Sequence, residues 1–77
     1  MKEAVELIVK ALVSEPSAVN VREVESRNTV KIEVRVAQKD MGKIIGKGGR
    51  TVRSIRSLLH AISIKHERRF ILELIEE

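Results

Sequence analysis

The residues with the clearest chemical potential are three glycines and a lysine in one run, Gly46-Lys47-Gly48-Gly49. Apolar residues at helical spacing lie on both sides of this run, so we expect it to connect two helices. Glycine adopts left-handed backbone conformations at little cost, and its missing side chain leaves backbone N–H groups accessible. The first N–H groups of the following helix and the positive end of its dipole would attract an anion such as phosphate. Lys47 adds a positive charge at the same place.

Two nucleotide-binding motifs that also use glycines are excluded by spacing. A P-loop requires G-x-x-x-x-G-K-[ST], whereas the stretch from Gly42 to Gly48 has one residue too few and no hydroxyl after the lysine. The dinucleotide pattern G-x-G-x-x-G is absent. On the glycines alone, an ordinary turn between two helices stays an equal alternative, because such turns often contain glycine.

Basic residues are concentrated around and after the glycine run. Between Lys39 and Arg69 the chain has nine basic and two acidic residues, although its overall net charge is only +4. Three arginines follow the run at three-residue spacing, which places them along one ridge of a helix. This asymmetry predicts an anionic partner for the second half of the chain, with an unevenly charged but inert surface as the alternative.

Other polar residues give no pattern typical of an enzyme. His60 and His66 are six residues apart and lack nearby thiol or carboxylate ligands, so they predict no metal site. Asp40 directly precedes a helical segment and is interpreted as its N-cap. The serines on the last predicted helix lack the G-x-S-x-G context of a nucleophile. We therefore predict a protein that is not an enzyme and that uses no metal or cofactor.

Composition narrows the class of protein further. The chain has 77 residues, 43% of them hydrophobic and 34% charged, which is typical of one small globular domain spanning 1–77. It has no cysteine and no apolar run of membrane-spanning length, so we expect a cytoplasmic location and no membrane contact. A single Phe and no Trp or Tyr argue against binding that depends on aromatic stacking platforms.

Hydrophobic periodicity predicts the elements that hold the glycine run. Helical spacing is clear near the N-terminus, where Pro16 should end the first helix. Strict alternation from Val30 to Val36 predicts a half-buried strand, and the preceding polar turn predicts a hairpin. In chain order we expect a helix over 2–14, strands over 19–25 and 30–36, a short helix over 41–45, a helix after residue 49 and a strand over 70–75. The predicted fold is α+β, ordered α-β-β-α-α-β, with helices packed on one face of a three-stranded sheet.

The segment from Ile44 to Val52 resembles the signature of KH domains, whose G-x-x-G loop lies between two helices. The chain supplies Gly46-x-x-Gly49, a lysine inside the loop and paired isoleucines before it. The order of elements resembles the type II KH arrangement over essentially the whole chain. Gly48 is a departure, since small KH proteins often carry a larger residue there.

This resemblance implies that the loop clamps the backbone of about four nucleotides of single-stranded RNA. The bases would then lie in a groove between helix and sheet, on an aliphatic floor. Loop residues and nearby cations would hold phosphates without reading sequence. The expected RNA-binding residues are Gly46, Lys47, Gly48, Gly49, Lys43, Arg50, Arg53, Ile44, Ile45, Val34 and Val36.

The resemblance also implies a role and partners. Small bacterial KH proteins suggest an RNA chaperone or post-transcriptional regulator, with regulation of cell shape among the implied roles. A homodimer, or a heterodimer with a larger Jag-type KH protein, is the expected assembly. The alternative is a protein-interaction module that mainly docks such a partner. Leu58 and Ile62 are either core residues or part of an exposed apolar strip used for association.

Overall fold

The computed structural model describes residues 1–76, which form three helices and three strands. Short 3-10 turns precede β1 and α2, and a third forms the glycine run. The main elements are α1 (Lys2–Leu12), β1 (Asn20–Glu25), β2 (Thr29–Val36), α2 (Met41–Ile45), α3 (Arg50–His66) and β3 (Arg69–Glu76). The predicted α-β-β-α-α-β order is confirmed.

The three strands form one mixed sheet with β2 in the centre. The β1–β2 pair is an antiparallel hairpin, with Val21 opposite Val34. Its turn is closed by a hydrogen bond of 2.8 Å from the Ser26 N–H to the Thr29 carbonyl oxygen. In contrast, β2 and β3 are parallel. A parallel pair needs a crossover connection, and α2, the glycine run and α3 together supply it.

Alternation along β2 decides which face of the sheet is covered. Every second residue of β2, from Val30 to Val36, is buried, and the residues between them are partly exposed. The buried side chains pack against side chains from all three helices in one core. This core comprises Val5, Val9, Val21, Val30, Ile32, Val34, Val36, Ile44, Val52, Ile55, Leu59 and Leu72. The helices therefore lie on one face of the sheet, as predicted.

The opposite face of the sheet carries charged side chains together with Val24, Ile71 and Ile75. Lys31 on β2 lies directly across from Ile71 on β3, and its ammonium is 3.5 Å from the carboxylate of Glu73. Both side chains are about half exposed, so this pair contributes little stability. One covered and one solvated face are what the strict alternation of β2 predicts.

Helix α1 ends two residues earlier than the sequence predicts. Its last residue is Leu12, and Val13 is already extended, with φ −93° and ψ 160°. The backbone N–H groups of Ser14 and Glu15 then donate to the carboxylate of Asp40, at 3.1 and 3.2 Å. These bonds draw the chain out of helical geometry before Pro16 is reached, which explains the shorter helix.

Asp40 stands at the N-cap position of α2, but its side chain makes no capping bond, so that part of the prediction is wrong. The carboxylate is fully buried and instead binds the end of α1, with the Ser14 hydroxyl donating at 2.7 Å. This hydroxyl bond, the two backbone bonds and the nearby Lys43 ammonium outweigh the effect of burial and lower the pKa of Asp40 to about 2. Asp40 thus fastens α2, and the loop after it, to the rest of the fold.

Candidate nucleic-acid interface

The glycine run forms a tight turn between α2 and α3 in which three glycines have positive φ. The φ angles of Gly46, Gly48 and Gly49 are 78°, 65° and 77°. The Gly46 N–H donates to the Gly42 carbonyl at 2.9 Å, and the Gly49 N–H donates to the Gly46 carbonyl at 3.0 Å. We call residues 46–49 the glycine loop. Residues other than glycine rarely adopt positive φ angles, so the shape of the loop depends on these three glycines.

Gly46 is additionally required by its contact with α3. A Cβ atom at this position would lie 2.8 Å from both the backbone nitrogen and the Cβ of Thr51, and would overlap its hydroxyl oxygen. At Gly48, by contrast, an added Cβ would meet nothing within 4 Å. The loop is therefore packed tightly against α3 at its first glycine and open at its third residue.

Two of the four backbone N–H groups in the glycine loop lack an acceptor within residues 1–76. Within residues 1–76 the amides of Lys47 and Gly48 make no hydrogen bond. Gly49 is the N-cap of α3 and has no side chain, so no side-chain bond caps the first turn of this 17-residue helix. Free N–H groups and the positive end of a helix dipole therefore coincide at the glycine loop. This combination attracts anions.

The four predicted cations have different surroundings. The side chains of Lys47 and Arg50 are exposed and have no intramolecular partner among the described residues. The Lys43 ammonium lies 3.4 Å from the Asp40 carboxylate. The Arg53 guanidinium donates to the Gly48 carbonyl oxygen at 2.8 Å. Two cations are thus free to meet an anionic ligand, and two are engaged within the protein.

A groove of about 770 Å³ lies between the C-terminal half of α3 and the start of β3. Leu59, Ile64 and Phe70 are among its apolar lining residues, and Arg56 and Arg69 are among its cations. Arg56 lies six residues, or nearly two helical turns, after the start of α3, and it is the arginine of this helix that lines the groove.

Comparison with known proteins places this geometry in a family. The family profile described as KhpA/KhpB, KH domain, matches residues 2–74. The chain belongs to the KhpA/KhpB family of KH domains. An RNA-binding protein KhpA of Caldanaerobacter subterraneus subsp. tengcongensis is 47% identical over 75 residues, covering 97% of this chain and all of the relative.

Two further relatives come from other organisms. The RNA-binding protein KhpA of Chlamydia trachomatis is 46% identical over 77 residues, covering 100% of this chain and 99% of the relative. That of Aquifex aeolicus is 45% identical over 76 residues, covering 99% and 96%. The order of elements and the mixed sheet make this KH domain type II, as the sequence predicts.

The aliphatic floor predicted for this KH domain needs correction. Val34, Val36 and Ile44 have at most 1% of their surface exposed, because β2 is the central strand and its inner face is covered by helices. They are core residues and present no surface to a ligand in this structure. Ile45, on the exposed side of α2, keeps 38% of its surface accessible.

The groove presents an apolar surface outside the residues that the sequence predicts to bind RNA. Phe70 and Ile64 were not among the expected RNA-binding residues, and neither was Arg56. Two features of the sequence point toward Arg56 and Phe70. Arg56 belongs to the three-residue arginine spacing after the loop, and Phe70 is the chain's one aromatic residue and lies near the start of the last strand.

The remaining predictions concern metals and membranes. Within residues 1–76 no three side chains of the metal-ligating types lie close enough to hold an ion. His60 lines the groove between α3 and β3, whereas His66 lines a smaller one near Met1. No helix in the described part of the chain combines the length and apolar character needed to cross a bilayer.

Proposed function

We propose that this KH domain binds single-stranded RNA and grips its phosphates at the glycine loop. The observation that carries the proposal is the coincidence of unpaired loop amides, an uncapped α3 N-terminus and two unpartnered cations, Lys47 and Arg50. The name of the relatives, RNA-binding protein KhpA, supports RNA as the anion. Lys43 lies one turn earlier and stays within reach as a secondary cation.

The groove beside α3 favours unpaired nucleotides. Its apolar residues can receive bases only when those bases have left a duplex, since stacked and paired bases present little of their faces. Arg50 and Arg56 lie on one helix between loop and groove, and they would follow the phosphates of an extended strand. Most of these contacts go to the backbone of the RNA, so low sequence specificity follows.

Low specificity suits a chaperone or post-transcriptional regulator that acts on many RNAs. One site of about four nucleotides binds weakly, and two linked sites gain effective concentration on the same strand. We therefore include association, as a homodimer or with a larger Jag-type KH protein, in the proposal. Leu58 on α3 supports it, because this leucine is 58% exposed.

A protein-docking role is the second candidate, and exposed apolar side chains on α1 favour it. Leu7 is 73% exposed, and Ile8 and Leu12 are each 38% exposed. Docking would cover this surface without using the glycine loop. A folded variant with an altered glycine loop therefore distinguishes the two functions, because it should lose RNA binding but keep protein docking.

The decisive variant is Lys47→Asp combined with Gly48→Asp. Both positions are exposed, and a Cβ at Gly48 would meet nothing within 4 Å. The φ of 65° at Gly48 should cost a side chain about 1–2 kcal/mol, less than the roughly 4–12 kcal/mol stability of a domain of this size, so the fold should persist. The two carboxylates should repel phosphate and reduce RNA affinity by at least about tenfold, the loss of two charge-assisted contacts. The measurement is fluorescence anisotropy with a short unstructured RNA, with circular dichroism as the test of folding.

A matched control is the double variant Lys10→Glu with Ser17→Asp. It changes the net charge of the domain by the same amount as the loop variant, but it does so on α1 and in the turn after α1, away from the glycine loop. This control should retain most of the affinity. A perfect RNA duplex of the same length should bind the wild-type domain more weakly than the single strand. If the loop variant is folded and binds RNA as the wild type does, the phosphate grip is not at this loop.

A further inference from the structure

Arg53 contacts the glycine loop in a way that differs from its neighbouring arginines. It lies in the first turn of α3, and its guanidinium donates to the Gly48 carbonyl oxygen at 2.8 Å. A side chain on a helix runs back toward the N-terminus, which brings Arg53 over the loop. The same guanidinium nitrogen lies 3.5 Å from where a Gly49 Cβ would be, in ordinary van der Waals contact.

The bond falls on the least supported part of the loop. Gly48 and Gly49 both have left-handed backbone angles, and neither has a side chain to pack. Their backbone is otherwise tied by the Gly49 N–H to the Gly46 carbonyl. Glycine has more backbone freedom than any other residue when the loop is open or the chain is unfolded. A bond to the Gly48 carbonyl therefore restricts a segment that would otherwise be highly mobile.

The bond also affects the electrostatics of the loop. A carbonyl oxygen carries partial negative charge and repels phosphate, whereas the amides of Lys47 and Gly48 attract it. The Arg53 guanidinium binds the Gly48 carbonyl oxygen and offsets its partial negative charge. The peptide group between Gly48 and Gly49 is thereby held in one orientation. The neighbouring amides then keep the anion-binding orientation before any ligand arrives.

We propose that Arg53 is a positioning residue that fixes the glycine loop, rather than a phosphate ligand. This inference rests on the proposed function for its consequence in RNA binding, but its effect on the free loop is independent of RNA. The guanidinium of Arg50, three residues earlier, is exposed and has no intramolecular partner in the described chain, so Arg50 is the matched phosphate-contacting arginine.

Salt dependence distinguishes these two roles. Each phosphate contact to a single strand contributes about 0.7 to the slope of log affinity against log salt concentration. Arg50→Gln should therefore make the slope shallower by about that amount. Arg53→Gln should weaken binding roughly three- to tenfold, the effect of one lost hydrogen bond, at every salt concentration and with the slope unchanged.

The free protein supplies the second readout. The rate at which the Gly49 amide exchanges with solvent, measured by NMR without RNA, should rise in Arg53→Gln and stay at the wild-type value in Arg50→Gln. Arg50→Gln should unfold at the wild-type temperature, because its side chain is exposed and makes no hydrogen bond within the described chain. Arg53→Gln loses one hydrogen bond and should unfold a few degrees lower, while staying folded at the temperature of the binding assay.

The outcomes are separable. A shallower salt slope for Arg53→Gln with an unchanged Gly49 exchange rate would make Arg53 a phosphate ligand and overturn the inference. Unchanged affinity and unchanged exchange would overturn it as well. If the wild-type domain shows no salt-dependent RNA binding, the proposed function fails, while the exchange rates still decide whether Arg53 fixes the loop.

Discussion

Replacing three glycines by alanine, one at a time, should change stability in three different ways. Gly42 lies inside α2, Gly46 begins the glycine loop and Gly48 lies at its open side. The same small methyl group is added in each case. Differences in stability between the variants therefore depend on the backbone angles at each position and on the space around the added methyl group.

The structure gives the sign and size of each effect. Gly42 has no positive φ, and its added Cβ meets nothing within 4 Å, so alanine should stabilise the domain by up to about 1 kcal/mol through helix propensity. Gly48 also has space, but its φ of 65° should cost a side chain about 1–2 kcal/mol.

Gly46 should be the most sensitive of the three. Its angles, φ 78° and ψ 168°, fall in a region used almost only by glycine, where strain costs about 1–3 kcal/mol. The overlap with Thr51 adds to that cost, since two of the nearest atoms would be at 2.8 Å. A domain of this size has a total stability of roughly 4–12 kcal/mol, so Gly46→Ala should remove a large part of it.

Urea unfolding, followed by circular dichroism, measures the free energy of unfolding of each variant. The three values can be compared when the dependence of this free energy on urea concentration has the same slope in all variants. The expected order of stability is Gly42→Ala above wild type, then Gly48→Ala, then Gly46→Ala. The geometry of the loop would be refuted if Gly46→Ala were no less stable than Gly48→Ala. A destabilising Gly42→Ala would contradict the open space at that helix position.

Two further predictions follow from buried and exposed side chains. Because the folded pKa of Asp40 is about 2, below its ordinary value of 3.8, its contribution to stability should be complete at neutral pH and lost as the pH falls from about 4 toward 2. Asp40→Asn should remove that part of the acid dependence in urea unfolding, and an unchanged acid profile would count against the carboxylate bonds to α1. Leu58→Glu should leave the fold intact, since the leucine is exposed, and should lower the self-association seen by sedimentation equilibrium at micromolar concentration. If the wild-type chain is strictly monomeric, alone and with a Jag-type KH protein, association through α3 is wrong; unfolding by Leu58→Glu would show that the leucine is internal.

Local patterns were sufficient to predict most of the fold. The alternation of β2 and the spacing of apolar residues in α3 depend on near neighbours, and both elements occur where expected. The glycines at 46 and 49 predicted a loop between helices for the same reason. The predicted strand over 19–25 differs from β1 by one residue, within the usual uncertainty of element ends.

The errors arose where distant parts of the chain meet. Asp40 binds Ser14, which is 26 residues away, and no local pattern distinguishes this bond from an N-cap. The sequence predicted helices on one face of the sheet, but not that their side chains leave Val34 and Val36 without exposed surface. The groove between α3 and β3 likewise could not be predicted without knowing that β3 pairs in parallel with β2, because this pairing places the start of β3 beside α3.

The proposed phosphate site uses backbone atoms more than side chains, so it needs no aromatic platform in a chain that has one aromatic residue. Backbone amides bind phosphate only if the turn that presents them keeps its shape. Three side chains serve that purpose by different contacts: Asp40 ties α2 to the end of α1, Thr51 leaves room only for glycine at position 46, and Arg53 holds the Gly48 carbonyl. Substitutions at these positions should therefore reduce RNA affinity through the shape of the loop, whereas substitutions at Lys47 and Arg50 should reduce it through charge.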